Sequence, residues 1–156
     1  MGEIRAKVHL ENHDDRVLFK VGRIMEKEIR AKEIEAVVDT GAVMNLLPQD
    51  LVEALGLETI GRTVVTLAND QRIELNVAGH ATLTVAGRSW LTDCLVGPPG
   101  CEILLGQLVM ERLDLIVDPL RRTLTPRPES PYLPNLKLKS SARGRGVMPD
   151  AVAPIP

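Results

Sequence analysis

Hydrophobic positions along the chain recur mostly with a period of two, the repeat of a strand with one face in the core. Ile4 to Leu10 alternates with polar residues and predicts a half-exposed strand. Glu11-Asn12-His13-Asp14-Asp15 reads as a turn cluster, after which Val17 to Val21 resumes as a second strand. Charge dominates from Arg23 to Glu35, as a solvated helix or the outer part of a hairpin. Ala36-Val37-Val38 is then apolar and β-branched, the composition of a buried strand. Thr63–Leu67 and Ile73–Val77 predict a hairpin whose tip, Ala68-Asn69-Asp70-Gln71-Arg72, contains residues that tolerate positive φ. Ala81–Val85 and Trp90–Val96 flank Gly87-Arg88-Ser89 as a second hairpin. Ile103 to Leu105 reads as another fully buried strand, Leu115 to Pro119 as a further one, and Arg121 to Thr125 as a last short one.

Two segments carry helical spacing instead. In 48–57, proline stands at the first turn, glycine follows the end, and Leu51, Val52 and Leu55 share one face. Gln107 to Leu113 has the same character. Many strands and few helices make the chain mainly β, one domain over residues 1–126. Beyond Pro126 prolines and basic residues (Lys137, Lys139, Arg143, Arg145) replace the apolar pattern. Residues 127–156 are therefore expected to be a disordered Pro-rich basic tail, with a weak basic docking segment as the functional alternative.

Composition narrows this picture. Hydrophobic content is 44%, but Phe19, Trp90 and Tyr132 are the only aromatics, so the core has to be aliphatic. A net charge of -2 gives no broad basic field for nucleic acid. No apolar run approaches the roughly 18 residues of a membrane span, and the first residues lack a secretory apolar core. The expectation is a cytoplasmic protein that binds neither membrane nor nucleic acid. Cys94 and Cys101 are then expected as reduced thiols, although the intervening Gly97-Pro98-Pro99-Gly100 turn could bring them together. With His9, His13 and His80 scattered, no metal site is expected.

The candidate chemistry sits where the buried strands end. Asp39-Thr40-Gly41-Ala42 delivers a carboxylate, a hydroxyl and a glycine at the end of residues 36–38, and Ile103-Leu104-Leu105-Gly106 ends in glycine before a helix. Taken by itself, Asp39-Thr40-Gly41 could simply be the turn that ends a strand. Together, with a hairpin-rich block between them, the two stretches resemble the retropepsin-like aspartic proteases, single-domain relatives of retroviral protease. The resemblance covers about Glu3 to Pro126.

The resemblance implies a closed β-barrel with one or two short helices and an active site at a twofold dimer interface. Asp39 would be catalytic, forming with its symmetry mate a dyad that activates water to hydrolyse a peptide bond, without metal or organic cofactor. Thr40 would bond across the interface, and Gly41 would let the two loops approach. Ala42 stands where some family members carry a serine hydroxyl near the carboxylate; its absence implies action nearer neutral pH. Ile103, Leu104, Leu105 and Gly106 would form the second signature, and Ala68, Asn69, Asp70 and Gln71 the tip of a flap over substrate. That flap departs from the viral pattern, because no glycine lies between Arg62 and Ala78. Asp118 follows an apolar run without Thr-Gly, so it is read as a strand-end carboxylate. The expected partners are a second copy and a peptide or protein substrate; the alternative is a catalytically weak dimerisation or peptide-binding module.

Overall fold

A computed structural model describes residues 2–139. Nine strands, three short α-helices and a 3₁₀ turn make the described chain mainly β with few helices. β1 (Arg5–Asn12) pairs antiparallel with β2 (Ala31–Val38), placing Val8 opposite Ile34. β2 pairs parallel with β7 (Leu104–Leu105), which meets β3 (Leu46–Pro48). β3 runs parallel to β6 (Arg88–Gly97), and β6 pairs antiparallel with the long β5 (Arg72–Val85).

The first half of β5 pairs on its other side with β4 (Glu58–Thr66), the second half with β1. Six strands thus pair in a circuit, β1-β2-β7-β3-β6-β5 and back to β1, with β4 outside it as an edge strand. Core-facing side chains of this circuit, among them Val8, Leu10, Ala36, Leu47, Leu83 and Leu105, pack with Val52 and Leu55 from α2 (Gln49–Ala54) and its C-cap. Val109, Met110 and Leu113 join them from α3 (Gln107–Arg112) and its C-cap. No aromatic ring is among the buried core residues, so aliphatic packing carries the fold.

Two expectations near the N-terminus are corrected. The predicted turn at Glu11–Asp15 and strand at Val17–Val21 are the end of β1 followed by α1 (His13–Lys20). The acidic cluster is a helix start: the Asn12 side chain accepts from the Asp15 N–H at 3.0 Å, and Asp14 and Asp15 occupy the positive first turn. Asn12 also donates to the Leu55 carbonyl at 2.8 Å, so one amide caps the start of α1 and the end of α2. Asp15, buried, accepts from Arg30 Nε at 2.8 Å and Nη2 at 2.9 Å, a fork that fixes α1 to the entry of β2. Of the two readings of the charged stretch, the hairpin holds for its second half, which is the exposed part of β2; the first half holds a 3₁₀ turn, Glu26–Glu28.

Both predicted hairpins form. At the β4–β5 tip Asp70 has φ +64°, and the Asn69 side chain accepts from the Gln71 N–H at 3.0 Å. At the β5–β6 turn Ala86 and Gly87 have φ +50° and +76°, the two positive values of a turn that matches strand twist. Leu115–Asp118 (β8) and Thr123–Pro126 (β9) form a separate two-stranded sheet.

Packing does not stop at Pro126, as the sequence suggested. Asp114, buried and at φ +51°, accepts from Arg127 Nε at 2.9 Å, from the Ser130 hydroxyl and from the Asn135 N–H at 3.1 Å. The buried Arg88 donates to the Leu113 carbonyl at 2.7 Å and the Ser130 carbonyl at 2.5 Å. Residues 127–135 are therefore clasped to the domain by backbone and side-chain bonds that no apolar pattern announces. Of the rest of the expected tail, 140–156 lies outside the described residues.

The Ser130 hydroxyl, followed by Arg127 and the Asn135 N–H, holds the Asp114 carboxyl down at about 2, against an ordinary 3.8. A carboxyl lowered on folding stabilises fully above its unfolded value, and that contribution is lost as pH falls through its folded value. Asp114→Asn is accordingly expected to lower the melting temperature at neutral pH. Thermal melts should show the gap to wild type closing as pH falls from 3.8 towards about 2. A gap independent of pH would contradict the clasp.

Candidate active site

Asp39 stands one residue beyond β2, and its backbone is fixed from both sides. Its N–H donates to the Leu105 carbonyl at 3.0 Å, continuing the β2–β7 ladder, while Val38 N–H donates to the Ile4 carbonyl at 2.8 Å. The chain then turns tightly. Gly41 N–H donates to Asp39 Oδ1 at 2.9 Å and Ala42 N–H to the Asp39 carbonyl at 3.2 Å, so the loop itself orients the carboxylate.

Beyond the turn the loop crosses the second signature. Gln107 N–H donates to the Ala42 carbonyl at 2.7 Å and Leu108 N–H to the Val43 carbonyl at 3.0 Å. The first amides of α3, which a helix cannot satisfy internally, are thus taken up by the Asp39 loop. Gly106 lies so close that a Cβ there would stand 2.6 Å from the Met44 carbonyl group. Only glycine permits this crossing. Ile103, Leu104 and Leu105 support it from behind: Leu104 pairs with Val37 and Leu46, and Leu105 is buried.

The sequence reading missed Asn45. This side chain is only 4% exposed; its Oδ1 accepts from Gly106 N–H at 2.9 Å, and its carbonyl accepts from Leu95 N–H at 2.8 Å. It joins the Asp39 loop, the second signature and β6 at one point. The available signal was a lone amide inside the apolar run Val43–Leu47, where a buried polar group has to find partners.

Asp39, Gly41 and Ala42 open onto a cleft of about 710 Å³, roofed by Thr63 to Ala68 and flanked by Val43, Met44 and Leu95. Among the described residues Asp39 is the one ionisable residue lining it. Of the expected flap residues, Ala68 reaches the cleft; Asn69, Asp70 and Gln71 form the exposed tip and do not line it. Thr40 is exposed and lines a different groove, against α3 and β8. Asp118 accepts from Leu120 N–H at 3.0 Å and Arg121 N–H at 3.1 Å, the work of a strand-end turn. Cys94 and Cys101 are free thiols; burial pushes Cys94 up to about 12. Among the described residues no group of three His, Cys, Asp or Glu is placed to hold a metal ion.

A mainly β fold in which an Asp-Thr-Gly loop crosses a hydrophobic-glycine signature defines the retropepsin-like class. The family described as gag-polyprotein putative aspartyl protease matches residues 25–112, and the chain belongs to it. In structure it is similar to the retroviral protease-like domain of Ddi1 from Leishmania major, with a TM-score of 0.50 and 13% identity over 82% of this chain and 90% of that one. The EIAV protease complexed with the inhibitor HBY-793 matches at a TM-score of 0.45 and 20% identity, over 51% of this chain and 76% of that one. No curated protein matches the chain.

Replacing Asn45 by leucine would leave the buried Gly106 N–H without its acceptor, a loss of about 1–3 kcal/mol. Gly106→Ala would force the two loops apart and is expected to cost about as much. Urea unfolding at neutral pH checks both. Wild-type stability in either variant would show that the crossing does not hold the loop.

Proposed function

We propose that the protein is an aspartic endopeptidase that works as a homodimer, each copy supplying one Asp39. The observation that carries this reading is an oriented carboxylate, opening onto a cleft where the described residues offer no second ionisable group. Peptide hydrolysis needs a base to take a proton from water and an acid to polarise the carbonyl and protonate the leaving amine. One carboxylate cannot do both at once. An isologous twofold contact brings a second Asp39 to the first.

Two carboxylates brought within hydrogen-bonding distance do not both ionise readily, so the pair holds one proton. The ionised member draws a proton from the water as its oxygen bonds to the scissile carbon. The protonated member donates to the carbonyl oxygen. Collapse breaks the C–N bond and passes a proton to nitrogen, leaving an acid and an amine. Thr40, exposed beside Asp39, bonds across the contact and keeps the loops in register. Ala42 brings no hydroxyl to the carboxylate, which suits action nearer neutral pH and a cytoplasmic setting. The reading calls on no cofactor.

The substrate is an extended peptide or protein segment. β4 is an edge strand whose residues Thr63 to Thr66 line the same cleft as Asp39, and a strand-shaped ligand can add to such an edge. One observation favours the second reading, a peptide-binding module with weak catalysis. The β4–β5 tip is closed by bonds from Leu67 N–H to Gln71 and from Asp70 N–H to Leu67, without glycine, so the roof is stiffer than a glycine-rich flap.

Digestion of a peptide library by wild type and Asp39→Asn separates the readings. The variant is expected to lose about 10²–10⁴-fold or more in rate while still binding extended peptides. An unchanged rate would sink the protease reading; binding without cleavage by wild type between acid and neutral pH would establish the module.

A further inference from the structure

Apart from Asp39, the lining of the substrate cleft is uncharged and mostly aliphatic, with Val43, Val64, Val65, Leu67 and Leu95 in it. One lining residue has redox chemistry of its own. Among the described residues that line the cleft, Met44 alone carries a sulfur, and none carries an imidazole, indole or phenol. A mild two-electron oxidant such as a peroxide therefore meets a single target there, the Met44 thioether.

Met44 is half-buried, and its backbone holds it in place. Its carbonyl group lies so close to Gly106 that a Cβ on Gly106 would stand 2.6 Å away. Before it in the chain, the Val43 carbonyl accepts from Leu108 N–H at 3.0 Å; after it, the Asn45 carbonyl accepts from Leu95 N–H at 2.8 Å. The residue thus stays at the cleft wall whatever happens to its sulfur.

The two thiols of the chain are poor competitors for the oxidant. A thiol reacts as its thiolate, and both are held in the protonated form: burial pushes Cys94 up to about 12, and burial followed by Asp50 pushes Cys101 up as well. A thioether needs no ionisation to react. Of the other methionines among the described residues, Met25 is 55% exposed and lines no part of this cleft, whereas Met110 is 4% exposed and sits in the core.

We propose that Met44 is a reversible oxidation site, at which a peroxide switches the cleft from accepting apolar peptide segments to refusing them. The sulfur lone pair attacks one oxygen of hydrogen peroxide, the O–O bond breaks, and the second oxygen leaves as water after a proton moves to it. Sulfur is oxidised by two electrons and the peroxide is reduced by two. Among the described residues, the lining side chains that can donate to the new S=O group are the Thr63 and Thr66 hydroxyls. An apolar side chain pressed against that group strips its water and returns no hydrogen bond. A dithiol-dependent sulfoxide reductase removes the oxygen again as water. This rests on the peptide cleft of the reading above and adds to it a control on substrate entry rather than on the Asp39 pair.

The test uses the full Asp39→Asn chain, so that binding is read without cleavage. The probe is a fluorescein-labelled hexapeptide with a valine-leucine-valine-leucine centre between two lysines. After hydrogen peroxide treatment, peptide mass mapping is expected to find sulfoxide at Met25 and Met44 and none at Met110. Affinity for the probe is expected to fall about tenfold or more and to recover after the reductase. Adding Met25→Leu should leave that fall as it is; adding Met44→Leu, whatever its starting affinity, should abolish it. Three results would overturn the switch and leave the peptide cleft standing: Met44 staying reduced while Met25 is converted, unchanged affinity with Met44 oxidised, or an equal fall in the Met44→Leu chain. An untreated chain that does not bind the probe would overturn the apolar cleft on which both readings rest.

Discussion

Everything about the candidate site depends on the crossing of two loops at Gly106. The Asp39 loop and the start of α3 pass closer than any side chain would allow, and their backbones exchange bonds where they pass. Asn45 adds the third tie, to Gly106 and β6. The amides at the start of α3 find acceptors in the Asp39 loop, and the loop finds its fixed position from them. Neither element would have a defined end without the other. A carboxylate held this way is preorganised, because its orientation comes from backbone bonds formed on folding rather than from a flexible side-chain partner.

On the proposed reading, the same geometry supplies one half of a shared site. Among the described residues Asp39 is the only ionisable group lining its cleft, and Thr40 lines the neighbouring groove against α3 and β8. The chain spends several buried polar groups on that second face: Arg88, Asp114 and Ser130 bond to one another and to the backbone around them. Buried polar groups are tolerated where every partner is supplied, and here they define the path of the chain past β9.

Strand positions were legible in the sequence wherever one face of a strand is buried, since alternation then reports the pleat directly. The hairpin tip at Asn69-Asp70 and the glycine-proline punctuation of α2 were legible for the same local reason. Asp39 and Gly106 could be read because strand-end turn chemistry followed each apolar run. What escaped was set by tertiary partners. α1 looked like a turn and a strand although its Asn12 cap is local; the Asp15 fork that fixes the helix depends on Arg30, and the second bond of Asn12 on Leu55, both far along the chain. Asn45 was hidden within an apolar run, and the hold on residues 127–135 comes from Asp114, a residue that reads as a helix end. Polar groups that work by meeting distant partners leave no periodic trace.

The central claim is that one chain carries half of a catalytic pair. The most direct measurement mixes wild-type chains with Asp39→Asn chains at constant total concentration, lets subunits exchange fully, and follows peptide hydrolysis. If both carboxylates are needed, activity falls with the square of the wild-type fraction, to about a quarter in an equal mixture of randomly assorted dimers. A linear fall, to about half in that mixture, would show each chain acting alone and contradict the account.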